Sequence, residues 1–178
     1  MRSFSLRTLK LRPGEQYRDE IEVELEPFEL GGQRYLPVPE KVPAEFAVSR
    51  ASTGTVFELR FGIRLHGPCY RCLEDAVLEL PIAGLEYQAT NPGEAEELTT
   101  QYVRDDQLDL AAWARDASAL ELPNKILCRP DCAGLCPVCG RNLNDEPHTH
   151  EEELTDPRWS ELAKIGRASC RERVLVTV

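Results

Sequence analysis

The chain has no apolar run long enough to span a bilayer, and its first residues, Met1-Arg2-Ser3-Phe4, open no signal-peptide core. Both absences point to the cytoplasm, where thiols stay reduced. Metalloprotease, serine-hydrolase and nucleotide-binding motifs are missing too: there is no His-Glu-x-x-His, no Gly-x-Ser-x-Gly and no Gly-rich phosphate loop. Basic residues are outnumbered, 21 against 31 acidic, for a formal charge of −10. A chain of that sign cannot rely on wholesale attraction to phosphate backbones, so any contact with RNA needs a local basic patch. A basic protein partner is simpler to explain.

What is present is cysteine in pairs. Six of seven fall at close spacing: Cys69-Tyr-Arg-Cys72, Cys128-Arg-Pro-Asp-Cys132 and Cys136-Pro-Val-Cys139, followed by His148-Thr-His150. Two such residues on a tight turn can aim at one tetrahedral ion, and thiolate and imidazole are ligands that zinc prefers. In an oxidising compartment the same pairs would form a disulfide framework; in a reduced one they are metal ligands. Pro137 stiffens its turn, and Gly140 permits the left-handed backbone a knuckle needs after its second sulfur.

The eight residues allow one or two Zn2+ ions. One partition joins Cys69, Cys72, Cys128 and Cys132, with Cys136, Cys139, His148 and His150 as a second, local site. Its rival joins Cys69 and Cys72 to Cys136 and Cys139. The first is preferred because it leaves no paired thiol over. His148 and His150 stand in an acidic run, where a solvated loop is the alternative to ligation. His66 is expected to line the turn near Cys69. Thiolate-rich sets favour closed, structural sites, so no catalytic residue is assigned. A thioredoxin-like role for Cys69 and Cys72 is unsuited, because that pair bridges apparent strands rather than opening a helix.

The first hundred residues alternate like antiparallel strands. Ile21, Val23 and Leu25 interleave with Glu20, Glu22, Glu24 and Glu26, giving one acidic face. Ala44 to Ala51 is a further strand, as is the run of Val56, Leu59, Phe61, Ile63 and Leu65. The last run holds Val77, Leu78, Leu80, Ile82, Leu85 and Tyr87. Gly31-Gly32 and prolines 37, 39 and 43 mark loops. Asn91 to Glu97 is an acidic loop. Asp109 caps a helix carrying Leu110, Trp113, Ala117 and Leu120, ended by Pro123. Asp156-Pro157 opens a short second helix bearing Trp159.

The expected class is α+β: an antiparallel β domain with a packed helix over residues 1–122, then a C-terminal zinc-binding segment over 123–165. Residues 166–178, which include the unpaired Cys170, change composition abruptly and are read as a non-native tail.

Cys-x-Arg-Cys-Leu, a helix ending in Leu-Pro, and Cys128-Arg-Pro-Asp-Cys-Ala-Gly-Leu-Cys-Pro-Val-Cys-Gly-Arg-Asn-Leu-Asn144 together resemble the bacterial YceD family, over roughly residues 1 to 165. Related members commonly carry Cys-x-Cys where this chain has His148-x-His150, a change that preserves ligands. The resemblance implies a part in accumulating large-subunit (23S) ribosomal RNA, within ribosome biogenesis, and brings no catalytic residues. The expected partner is ribosomal RNA or a basic ribosomal protein. For RNA the candidates are Arg71, Lys125, Arg129 and Arg141, beside the cysteines; for protein, the glutamate row from Glu20 to Glu26 and the cluster Glu94 to Glu97. A zinc-ribbon adaptor binding RNA or a transcription-associated protein is the alternative.

Overall fold

A computed structural model describes residues 2–91 and 98–150. The cluster Glu94 to Glu97, the helix expected after Asp156, Cys170 and the suspected tail lie outside the described residues. Within them the chain is mostly antiparallel β-sheet with one short helix. In chain order the strands are β1 (Ser3–Ser5), β2 (Gln16–Glu24), β3 (Phe28–Leu30), β4 (Gln33–Pro37), β5 (Lys41–Arg50), β6 (Gly54–Pro68), β7 (Asp75–Ala89), β8 (Val103–Arg104) and β9 (Gln107–Asp109), followed by α1 (Leu110–Glu121).

The frame is the β6–β7 hairpin, paired without a break from Gly54↔Ala89 to Pro68↔Asp75. Along the opposite edge of β6 lie β5, through Ala44↔Phe61 to Arg50↔Thr55, and further on β4, through Leu36↔His66 and Pro37↔Leu65. β2 pairs with β5 and β3 with β4, completing a six-stranded sheet. Gly31 and Gly32, both at positive φ, form the two-residue turn between β3 and β4, the geometry that matches strand twist.

One face of this sheet is apolar: Ile21, Val23, Val42, Phe46, Val48, Leu59, Ile63, Leu65 and Ile82 are all buried. The small β1–β9–β8 sheet and α1 pack on that side, with Trp113 set against Gly84 of β7. Asp109 caps α1, its carboxylate accepting from the Ala112 N–H at 3.0 Å. Cys69, Cys72, Ile126 and Cys132 belong to the same continuous core, so the cysteine segment closes one end of it.

Several expectations need correction. Leu120 is 87% exposed; the buried face of α1 runs through Leu110, Trp113, Ala114, Ala117 and Ser118. The β7 run splits between faces: Leu78, Leu80 and Ile82 turn towards the core, whereas Val77 and Leu85 are exposed. Pro37 and Pro43 lie inside β4 and β5 rather than in loops. Pro43 is tolerated because β5–β6 pairing begins only at Ala44, where a missing N–H no longer interrupts that ladder. His66 sits within β6, between Leu36 and Val77, not on the turn.

Candidate metal centres

The turn closing the β6–β7 hairpin is the first knuckle. The Cys69 N–H donates to Glu74 O at 2.7 Å, and the Leu73 N–H returns to Cys69 O at 3.0 Å. This fold-back leaves both thiols buried, and Leu73, one residue past the second sulfur, takes φ 63°. Gly140 holds the corresponding place after Cys139, at φ 71°. Glycine adopts that conformation freely, whereas Leu73 adopts it under strain.

The Tyr70 N–H donates to Ile126 O at 2.8 Å, which draws the chain leaving α1 across the knuckle. Cys128 and Cys132 then face Cys69 and Cys72. The Cys69 and Cys132 sulfurs are 3.7 Å apart, those of Cys72 and Cys128 3.6 Å apart, and all four lie within 4.8 Å of one another. A disulfide needs about 2.05 Å, so these thiols are free. Four sulfurs at about 2.3 Å from one zinc ion stand about 3.8 Å apart, so the spacing fits that ion.

Ligand atoms of Cys136, Cys139, His148 and His150 likewise gather within 4.8 Å. Cys139 Sγ is 3.1 Å from His148 Nε2, and His148 Nδ1 is 2.7 Å from Glu146 O. A proton on Nδ1 satisfies that carbonyl and leaves Nε2 as the lone-pair nitrogen facing the sulfur, the usual arrangement of a ligating histidine. The two groups differ in exposure: three of four thiols in the first are buried, while Cys139 and His150 of the second are open to solvent. The grouping follows the local partition; the knuckle-to-knuckle alternative is not what the fold brings together.

Electrostatics prepare both groups for a cation. Burial opposes ionisation of Cys69, but the N–H groups of Cys72, Cys128 and Arg71 outweigh it and bring the thiol down to about 6. Burial, with neighbouring cysteines, pushes Cys72 up to about 12, and desolvation of the thiol, with Cys132 and Cys69 beside it, raises the otherwise exposed Cys128 as well. The Asn144 amide lowers Cys132. The Cys139 N–H, helped by Val138, holds Cys136 down to about 6. The Glu146 carbonyl and Cys136 raise His148. Without a cation, four thiolates cannot share so small a space; a divalent ion held there would offset their repulsion with its own charge and so favour the deprotonated thiols. Two four-ligand sets of this kind would hold structural metal, with no ligand position left for a reacting water.

The basic candidates all have internal partners. Arg71 Nη1 donates to Cys132 O at 2.6 Å, and Lys125 Nζ lies 4.8 Å from the centre of the Tyr70 ring. Arg129 pairs with Asp131 at 3.7 Å and Arg141 with Glu146 at 2.9 Å. In the glutamate row, Glu20 faces Glu45 across β2–β5, Glu24 pairs with Arg2 at 3.2 Å, and Glu26 lies beyond the strand end. His66 joins neither ligand group; among the described residues its Nε2 is buried without a hydrogen-bond partner. Asn144 escaped the sequence reading. It is held in a turn by Asn142 and reaches Cys132 Sγ at 3.4 Å, a contact with no signature beyond the Asn-Leu-Asn that follows the last knuckle.

The family model described as large ribosomal RNA subunit accumulation protein YceD matches residues 57–166, from β6 onward, and so takes in every candidate ligand. The chain belongs to the YceD family. An uncharacterised protein of Mycobacterium tuberculosis (strain H37Rv) is 40% identical over 103 residues, 56% of this chain and 49% of the relative. One from Mycobacterium leprae is 35% identical over 102 residues, covering 54% and 46% respectively. A maize protein named large ribosomal RNA subunit accumulation protein YCED homolog 1, chloroplastic, is 42% identical over 40 residues, 22% of this chain and 14% of that one. The chain spans about half the length of the mycobacterial relatives it matches. No solved structure matches. The YceD name carries large-subunit rRNA accumulation; among the described residues no helix is long and apolar enough to cross a membrane.

Proposed function

We propose that this YceD protein is a non-enzymatic, cytoplasmic ribosome-biogenesis factor that supports large-subunit rRNA accumulation, with its binding surface organised by zinc. The carrying observation is the pair of four-ligand groups inside the family-matched region, each spaced for a closed tetrahedral ion. Closed sites favour an architectural metal over a catalytic one. Zinc is favoured among metals because thiolate and imidazole in a tetrahedral set suit it.

A basic ribosomal protein is the better-supported first partner. Glu20 and Glu45 face each other on the outer side of the sheet, and Arg60, opposite Glu45 on β6, also pairs with Glu58 at 3.7 Å, so a cationic segment would relieve the acidic charge that is left. The four cations beside the cysteines already have internal partners, which weakens the RNA reading.

Depleting the protein in its host tests the role: large-subunit rRNA should fall relative to small-subunit rRNA, and unchanged levels would retire the proposal. Affinity capture in moderate salt tests the partner. Wild type should retain a basic ribosomal protein that Glu20→Lys/Glu45→Lys loses; equal recovery would rule out the sheet face.

A further inference from the structure

The two ligand groups are physically joined. Arg71, between the two sulfurs of the first knuckle, accepts the Leu135 N–H on its carbonyl at 3.1 Å and donates its guanidinium to Cys132 O. The segment from Cys132 to Cys136 is thereby held across the first site just before it enters the second. The return connection is Asn144, on the loop between Cys139 and His148. Its amide donates to Cys132 Sγ at 3.4 Å, and its side-chain oxygen accepts the Ala133 N–H at 2.8 Å. The Asn144 backbone and amide both also donate to Asn142 Oδ1, at 3.1 and 2.8 Å. The same turn continues to His148: the Glu146 N–H donates to Asn142 O at 3.1 Å, and Glu146 O lies 2.7 Å from His148 Nδ1.

We propose that the two metal sites fill in order, the four-cysteine site first because three of its four thiols are already held in the core whereas Cys139 and His150 are exposed, and that Asn144 couples them. This rests on the reading of both groups as metal sites. An ion held at the first site would fix Cys132 Sγ, the atom to which the Asn144 amide donates, while the Asn144 side-chain oxygen holds the adjacent Ala133 N–H. Filling the first site therefore tightens the Asn144 turn and presets His148. By linkage, filling the second site strengthens the first equally. Asn144 is a positioning residue, in contact with one ligand and acting on another site through the loop it holds.

Cobalt(II) titration of the reduced full chain reads the two steps separately, because a four-sulfur and a two-sulfur, two-nitrogen tetrahedral ion absorb differently. In wild type the four-sulfur spectrum should develop first. In Asn144→Ala the mixed-ligand step should shift to at least about 10-fold higher free cobalt, the scale of lost second-layer contacts. A Cys69→Ser/Cys72→Ser chain should show the same weakening, with no further loss when Asn144→Ala is added. Should that double variant not fold, Asn144→Ala alone decides: an unmoved second step overturns the coupling. A mixed-ligand spectrum that appears first overturns the order. Failure of wild type to bind cobalt at either group overturns the metal reading and the coupling together.

Discussion

A Cβ at Gly84 would stand 2.9 Å from Nε1 of Trp113, so the indole rests directly on the backbone of β7. This contact seats α1 on the sheet and makes position 84 intolerant of any side chain. Gly84→Ala should cost about 1–3 kcal/mol through overpacking, seen as a lower urea midpoint with an unchanged slope. An unchanged midpoint would mean that α1 can shift without loss.

Leu73 offers the opposite experiment. It is 55% exposed, so its side chain contributes little burial, yet its backbone occupies the left-handed region. Leu73→Gly should relieve about 1 kcal/mol of strain and lose part of that to unfolded-state entropy, a net gain of about 0.5 kcal/mol in metal-loaded protein. A clear loss would show that the leucine packs against something beyond the backbone turn.

Removing single ligands should separate the two sites. Cys72→Ser breaks the buried group within the core and should remove metal together with several kcal/mol of stability. Cys139→Ser acts at an exposed position and should lower metal content with little change in melting temperature. Metal per chain alongside thermal unfolding checks both; equal destabilisation would contradict the difference in burial.

Metal affinity should fall with acid, and in a shaped way. A thiol brought down to about 6 is already ionised at neutral pH, so metal binding releases no proton from it there. Below about pH 6 Cys69 and Cys136 each regain a proton that the metal must displace, and the dependence on pH should steepen at both sites. At the second site protonation of His148, whose pKa is raised, adds to the competition from a higher pH. The four-cysteine site should lose affinity across the whole range, because Cys72, pushed up to about 12, and Cys128, also raised, hold protons that the metal must displace throughout it. At the histidine-containing site the slope should instead steepen as His148 and then Cys136 protonate. Competition titrations with a chromophoric chelator between pH 5.5 and 7.5, about the range over which thiols and histidine change charge, would show it. Parallel slopes throughout would contradict the shifts.

Much of this architecture was legible because it is periodic or paired. Alternation located β2, β5, β6 and β7, the Asp109 cap located α1, and ligand spacing located both cysteine groups. The three-residue β1, β3 and β9 and the two-residue β8 are too short to carry a period, and their pairing is long-range: Phe4 meets Leu108. The β3–β4 hairpin did leave a signal, Gly31-Gly32 between Phe28 and Tyr35. Leu120 satisfied helical spacing, yet it falls in the last turn of α1 and is left in solvent. Asn144 was illegible because its importance lies in a turn that brings it back to a sulfur twelve residues earlier.

The sulfur contacts of the first site join residues 56 and 63 positions apart. An ion gripped there would act on the chain as a crosslink does, closing a loop that contains β7, β8, β9 and the whole of α1. In the chain-entropy model, closing a loop of that length removes about 4 kcal/mol of disorder from the unfolded ensemble. The β6–β7 hairpin needs no such help, since its strands are neighbours in sequence. Folding should begin with the hairpin, and the metal should act as a late clasp that fastens the helix and small sheet at their far end.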